Sequence, residues 1–233
     1  MSLTQQGSSQ RLVLATPHAR YNMLELALRK QGFNLLRIES PAQLNAAVLA
    51  DWKPDWIFFP HWSWKIPSAI FNAYRCVIFH MTDLPFGRGG SPLQNLIVRG
   101  FSETVLTALQ CAEDLDAGPI YLKRPLSLFG TADEILLRAA RLMTEMIATI
   151  VAENPVPRPQ QGEPTHFVRR GPADGSIGEL SDLERIFDCI RMLDGEGYPP
   201  AFLETEHLRI EFSRASLKSD GLFADACITW KKP

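Results

Sequence analysis

The feature that most constrains this chain is a series of short apolar runs separated by stretches of helical spacing. Leu12-Val-Leu-Ala15, Phe33 to Ile38, Trp56-Ile-Phe-Phe59 and Cys76-Val-Ile-Phe79 each have strand length with little polar interruption. Between the first two, Tyr21, Leu24, Ala27 and Leu28 recur at helical intervals within 21–30, and Pro41 to Leu49 reads as a shorter helix. Strands that are apolar on both faces and alternate with helices predict an α/β fold: a Rossmann-like, mostly parallel sheet with helices on both faces. Ser91 to Val98 reads as a helix with Pro92 at its first position. Strands are expected at Thr104 to Ala112 and Ile120 to Leu126.

The second half of the chain changes character. Thr131-Ala-Asp-Glu134 has the form of a capping box and opens a long amphipathic helix through Ile135, Leu136, Ala139, Leu142, Met143, Met146, Ile147 and Ile150. Pro155 to Pro164 contains four prolines and reads as a stiff linker. Ser181 with Glu184 suggests a second capping box, and Gly195 and Gly197 break the helix that follows. Phe202 to Phe212 and Ala224 to Trp230 alternate like strands. The expected organisation is a leader at 1–10, a catalytic domain at 11–154, a linker at 155–165 and a short α+β appendage, a helix and β-hairpin, at 166–233.

Charge and composition narrow the function. A net charge of -2 gives no general reason to expect nucleic-acid binding, since such proteins carry a basic excess. The four cysteines are widely spaced, with no C-x-x-C pair, so reduced, mostly buried thiols are expected, without a metal or dithiol role. No apolar run approaches the roughly 18–20 residues that span a bilayer. The polar start carries no signal-peptide core. These readings place the chain in the cytoplasm, without a membrane partner, and leave a homodimer open.

The chemistry concentrates between His80 and Ile120. A histidine ends an apolar run, a loop rich in proline and glycine follows (Leu84, Pro85, Phe86, Gly87, Arg88, Gly89, Gly90), and Asp116 sits in a second turn. Moving an acyl group onto an amine needs a donor for the developing oxyanion, a route for the amine proton and two substrates held within attack distance. A histidine at a strand end with a carboxylate in a nearby turn meets part of that demand. Taken singly, each has a blander reading: His80 as a satisfied core histidine, Asp116 as turn chemistry, Arg88 as a surface residue and the glycines as turn formers. Arg169 and Arg170 read equally as a solvated pair or as a pyrophosphate site.

In order, these residues resemble the active-site signature of the folate-dependent formyltransferases. His80 falls on the family's catalytic histidine. Leu84, Pro85, Arg88, Gly89 and Pro92 fall on its loop, Thr104 and Thr107 on the following strand, and Asp116, Gly118 and Ile120 on its Asp-x-Gly-x-Ile turn. His80 and Asp116 are 36 positions apart, which matches the family without a gap. Trp62-Ser-Trp-Lys-Ile-Pro67 resembles a segment bordering the folate pocket, although Trp62 and Trp64 are also ordinary core aromatics. The resemblance implies N10-formyltetrahydrofolate as donor, held by the loop from Leu84 to Gly90. His80 and Asp116 would relay the amine proton.

One position departs from the family, which reads Asn-x-His where this chain has Ile78-Phe79-His80. An aliphatic side chain cannot donate to the formyl oxygen. His61 and Asn95 are the available substitutes, and His61 is the preferred one. Phe167 to Ile177 resembles the stretch after the catalytic domain in sugar-nucleotide formyltransferases, and the chain as a whole resembles most those of the pseudaminic-acid type. Ile190-Arg-Met-Leu and Tyr198-Pro-Pro-Ala-Phe202 resemble the start of the C-terminal domain in those enzymes and in methionyl-tRNA formyltransferase. Little chain follows Phe202 for the barrel of the tRNA enzyme, so an amino-sugar nucleotide is the expected acceptor. The alternatives are a catalytically silent binding module and formylation of a charged tRNA.

Overall fold

The structure, a computed structural model, describes residues 10–231, so the expected leader falls outside the described residues except for Gln10. The elements run β1 (Arg11–Ala15), α1 (Asn22–Lys30), β2 (Asn34–Ile38), α2 (Ala46–Trp52), β3 (Trp56–Phe59), α3 (Ser68–Phe71), β4 (Cys76–His80), β5 (Arg88–Gly89), α4 (Pro92–Ile97), β6 (Glu103–Gln110), β7 (Ile120–Ser127), α5 (Ala132–Glu153), β8 (His166–Phe167), α6 (Leu183–Arg191), β9 (Ala201–Glu204), β10 (Leu208–Lys218) and β11 (Gly221–Trp230). The chain divides into two units. One comprises residues up to Arg88 with Val105–Arg124 and Leu137–Thr165; the other comprises Gly89–Thr104, Pro125–Leu136 and the chain from His166.

In the first unit β2, β1, β3 and β4 lie side by side and parallel, and β6 runs antiparallel to β4. The expected α/β architecture is present, with a mixed sheet in the order β2-β1-β3-β4-β6-β7. The strands are apolar on both faces because both are covered. Val13, Ala15, Ile57, Phe59 and Cys76 pack on one face with Ile38, Leu49 and Ile70. On the other, the Phe58 ring stacks on Phe79 with centroids 6.3 Å apart.

Several boundaries differ from the sequence reading. The helix expected at 41–49 starts at Ala46, because the Asn45 side chain accepts from the Val48 N–H and caps it there. The Thr131 box forms as expected, with reciprocal bonds between Thr131 and Glu134. The second box does not: Asp182, one residue after Ser181, caps α6 by accepting from the Arg185 N–H. The single strand expected at 202–212 is two, β9 and β10, separated by a turn in which Leu208 N–H donates to the Thr205 hydroxyl. In the second unit β9, β10 and β11 form an antiparallel sheet with β11 at its edge.

The proline-rich stretch after α5 is tied to the first unit by backbone bonds. Arg158 and Ile120 exchange N–H···O bonds of 2.7 and 2.9 Å. All four cysteines are free thiols; Cys76, Cys111 and Cys189 are buried and Cys227 is exposed. No helix among the described residues is long and apolar enough to cross a membrane.

Candidate active site

Strand pairing sets the geometry at the carboxyl edge of the parallel strands, where open α/β sheets bind their ligands. Phe59 on β3 lies opposite Ile78 on β4. His80 ends β4 two residues later, while His61 follows β3 in a turn with a left-handed backbone, φ 52°. Alternation along β4 puts Cys76, Ile78 and His80 on one face. The Ile78 side chain packs against the cluster around Phe59 and Cys76, as an aliphatic residue should.

His80 is 6% exposed, and both ring nitrogens face partners. Nε2 lies 2.8 Å from the Gly87 carbonyl oxygen, and Nδ1 lies 3.5 Å from Asp116 Oδ2. A carbonyl can only accept, so Nε2 carries the proton in that contact. Nδ1 is then the nitrogen that can exchange a proton with Asp116, directly or through one water. Asp116 is 7% exposed and takes a left-handed backbone, φ 53°, that Asp tolerates better than most residues. Next to it Gly118 is obligatory: a Cβ there would stand 1.8 Å from the Gln110 carbonyl oxygen.

The loop after His80 is held from several directions. Thr107, opposite His80 on β6, donates through its hydroxyl to the Thr82 carbonyl at 2.7 Å. Lys123 donates to the Asp83 carboxylate and, at 2.7 Å, to the Leu84 carbonyl. Thr165 accepts the Gly87 N–H on its hydroxyl and the Arg88 N–H on its carbonyl, and its own N–H donates to the Pro85 carbonyl. The Phe86 N–H donates to the Asp83 carbonyl. The main-chain amides of Phe86, Gly87 and Arg88 are therefore already engaged. The loop carbonyls, each with a second lone pair, are the groups that fit the N–H donors of a pterin.

The remaining candidates separate. Gly89, Gly90, Arg169 and Arg170 belong to the second unit. A Cβ at Gly89 would lie 2.5 Å from the Phe167 carbonyl oxygen, and one at Gly90 would lie 2.6 Å from the Arg169 Cβ, so these glycines permit close passage of another segment. The Arg170 N–H donates to the Ser91 hydroxyl and its guanidinium to the Asp174 carbonyl. Asn95 is buried and fully engaged. Its amide donates to the carbonyls of Gly90, Ser91 and Val168 and accepts from Arg99, which removes it as a substitute oxyanion donor.

The His61 ring lies over His18, centroids 4.5 Å apart, while Trp62 contacts Phe59 and Trp64. His18 follows β1 as His61 follows β3, and it escaped the sequence reading because no motif includes it. Thr165, Lys123 and Gln160 also escaped it. Each meets its partner across about 40 or more positions of chain, and local pattern carries no such information. Burial pushes the Cys111 thiol up to about 11 and the Cys76 thiol further still, so neither is a ready nucleophile.

Residues 172–229 match the family model "Methionyl-tRNA formyltransferase, C-terminal domain". Methionyl-tRNA formyltransferase of Clavibacter michiganensis subsp. michiganensis is 30% identical over 143 residues, covering 59% of this chain and 46% of that protein. The chain thus spans about half the length of the curated relatives it matches. The solved structure "Methionyl-tRNA formyltransferase from Clostridium thermocellum" is 44% identical with a TM-score of 0.92, covering 95% of this chain and all of that one. The formyltransferase PseJ from Anoxybacillus kamchatkensis, solved with UDP-4,6-dideoxy-4-formamido-L-AltNAc and tetrahydrofolate, shares the fold at 17% identity and a TM-score of 0.57, covering 81% of this chain and 94% of that one.

The order of likeness departs from the expected pseudaminic-acid type, since the relatives with higher identity carry the tRNA enzyme's name. The match over 172–229 also removes the length after Phe202 as an argument between acceptors. With a relative 44% identical over its whole length, the chain belongs to the folate-dependent formyltransferase family.

Proposed function

We propose that this protein transfers a formyl group from N10-formyltetrahydrofolate to the primary amine of an amino-sugar nucleotide. The observation that carries the transfer chemistry is the buried His80–Asp116 pair at the carboxyl edge of the sheet. Asp116 and His80 take the amine proton as the nitrogen attacks the formyl carbon. A C–N bond to the acceptor forms, the bond to the folate N10 breaks, and the proton ends on that folate nitrogen. His80 also polarises the formyl oxygen when its Nε2–H leaves the Gly87 carbonyl, with His61 as the second donor that replaces the family asparagine. Leu84 to Arg88 hold the folate.

Charge supports the small acceptor. Residues 166–233 carry twelve Asp and Glu against nine Lys and Arg, the opposite of a surface built for a polyanion. Several of those cations are already paired: Arg209 with Glu204 and Glu211, Lys231 with Glu204, Arg214 with Asp225, and Arg191 with Asp188. The second reading, a methionyl-tRNA acceptor, is supported by the names of the relatives with higher identity and by the C-terminal match. Incubation with N10-formyltetrahydrofolate and either class of acceptor separates them. Tetrahydrofolate release with an amino-sugar nucleotide is expected; release with methionyl-tRNA alone overturns the acceptor. Release with neither, despite folate binding, identifies a silent binding module.

A further inference from the structure

Gln160 joins two parts of the candidate site that come from distant positions in the chain. Its Nε2 donates to the Asp116 carbonyl at 2.7 Å and to the Gly118 carbonyl at 2.9 Å. Its Oε1 accepts from Arg88 Nε at 3.1 Å and Nη2 at 2.7 Å. A primary amide has two donor hydrogens and two acceptor lone pairs, and all four are used here. A carboxylate could serve Arg88 but not the carbonyls. An ammonium could serve the carbonyls but not Arg88.

The two carbonyls belong to the turn that aims Asp116. Its left-handed backbone at Asp116 is a conformation that non-glycine residues keep only when their surroundings hold it. Gly118 already presses that turn against Gln110, and the bonds between Arg158 and Ile120 fix the stretch that carries Gln160. Releasing the carbonyls frees the peptide planes that follow Asp116 and Gly118, and with them the direction of the Asp116 carboxylate toward His80 Nδ1.

We propose that Gln160 is a positioning residue for formyl transfer, holding the Asp116 turn to Arg88 so that the Asp116 carboxylate faces His80. The role rests on the formyl-transfer reading above. Two variants test it. Gln160→Met removes all four bonds; Gln160→Glu keeps those to Arg88 and loses those to the carbonyls when ionised. Both should lower kcat by about 10- to 100-fold, the usual effect of slight misplacement in a reacting site. The KM for the folate donor should change by less than about 3-fold, as expected when ground-state binding is retained. Wild-type kcat in either variant overturns the proposal, as does a change confined to KM.

A second readout does not depend on turnover. The His80 imidazole resonances, followed by NMR titration in the free protein, should show a different midpoint in Gln160→Met than in wild type. Coincident midpoints overturn the positioning role even if no acceptor has been found. A wild-type protein that releases no tetrahydrofolate while its His80 midpoint still responds to Gln160→Met loses the transfer reading and keeps the positioning. Loss of the folded state in both variants makes Gln160 a residue of stability and overturns the proposal.

Discussion

The turn at Asp116 and the sheet β9–β10–β11 both depend on polar contacts, and they use them differently. Around Asp116 the partners are buried or half-buried, come from segments far apart in sequence, and are largely neutral amides, hydroxyls and carbonyls. On the C-terminal sheet the contacts are ion pairs within and between its strands, partly open to solvent. β11 is exposed along most of its length, with Phe223, Ile228 and Trp230 more than half exposed. Exposed pairs are screened by water and contribute little each. Buried neutral networks are costly to break and hold a side chain in one direction. Preorganisation for chemistry is therefore expected at the first place and not at the second.

The largest test of that contrast removes the pair itself. His80→Ala and Asp116→Ala should each lower kcat by about 100- to 10,000-fold, the range for losing general acid–base catalysis, with the circular dichroism spectrum unchanged. Wild-type turnover in either variant removes that residue from the mechanism. Next, His61→Ala should cost about 100-fold in kcat if the imidazole serves the oxyanion, and Ile78→Asn should then recover part of the loss. Full activity in His61→Ala leaves His80 as the sole donor.

Stability gives a third measure. Gly118→Ala should destabilise by about 1–3 kcal/mol in denaturant titration, because the added methyl meets a backbone carbonyl that cannot yield cheaply. Thiol chemistry gives a fourth. At pH 8 iodoacetamide should label Cys227, which is exposed, and leave Cys76 and Cys111 unmodified, since burial raises both thiols well above that pH.

The smallest effect is expected on the C-terminal sheet. Bonds from Lys231 and then Arg209 hold the Glu204 carboxyl below its ordinary value of 4.5. A depressed carboxyl contributes stability that is present above its unfolded value and lost as pH falls through the folded one. The slight difference in melting temperature between wild type and Lys231→Met should accordingly be present at neutral pH and vanish in acid below the ordinary Glu range. A difference that grows on acidification would contradict this pairing.

What was legible in the sequence is what local pattern encodes. Continuous apolar runs at β1, β3 and β4 announce strands covered on both faces, because a half-exposed strand would alternate. The Thr131–Glu134 box announces the start of α5, because its reciprocal bonds lie within one turn. His80 and Asp116 were legible through an ordered motif. Where two local signals competed, as Ser181 did with Asp182 at α6, the pattern could not choose; the backbone settled it by presenting the Arg185 N–H to Asp182.

Only the tertiary structure decided how the site is held. Asn95 reads as an available donor until its amide is seen engaged by three carbonyls. The proline-rich stretch reads as a spacer until Arg158 pairs with Ile120 and Gln160 reaches the Asp116 turn. His18 carries no signal until β1 and β3 pair in register and bring its ring over His61. The physical reason is common to all three. A hydrogen-bonding side chain has many partners open to it in an unfolded chain, and its identity fixes only how many bonds it can make. Which groups receive them depends on strand register and on contacts tens of residues away.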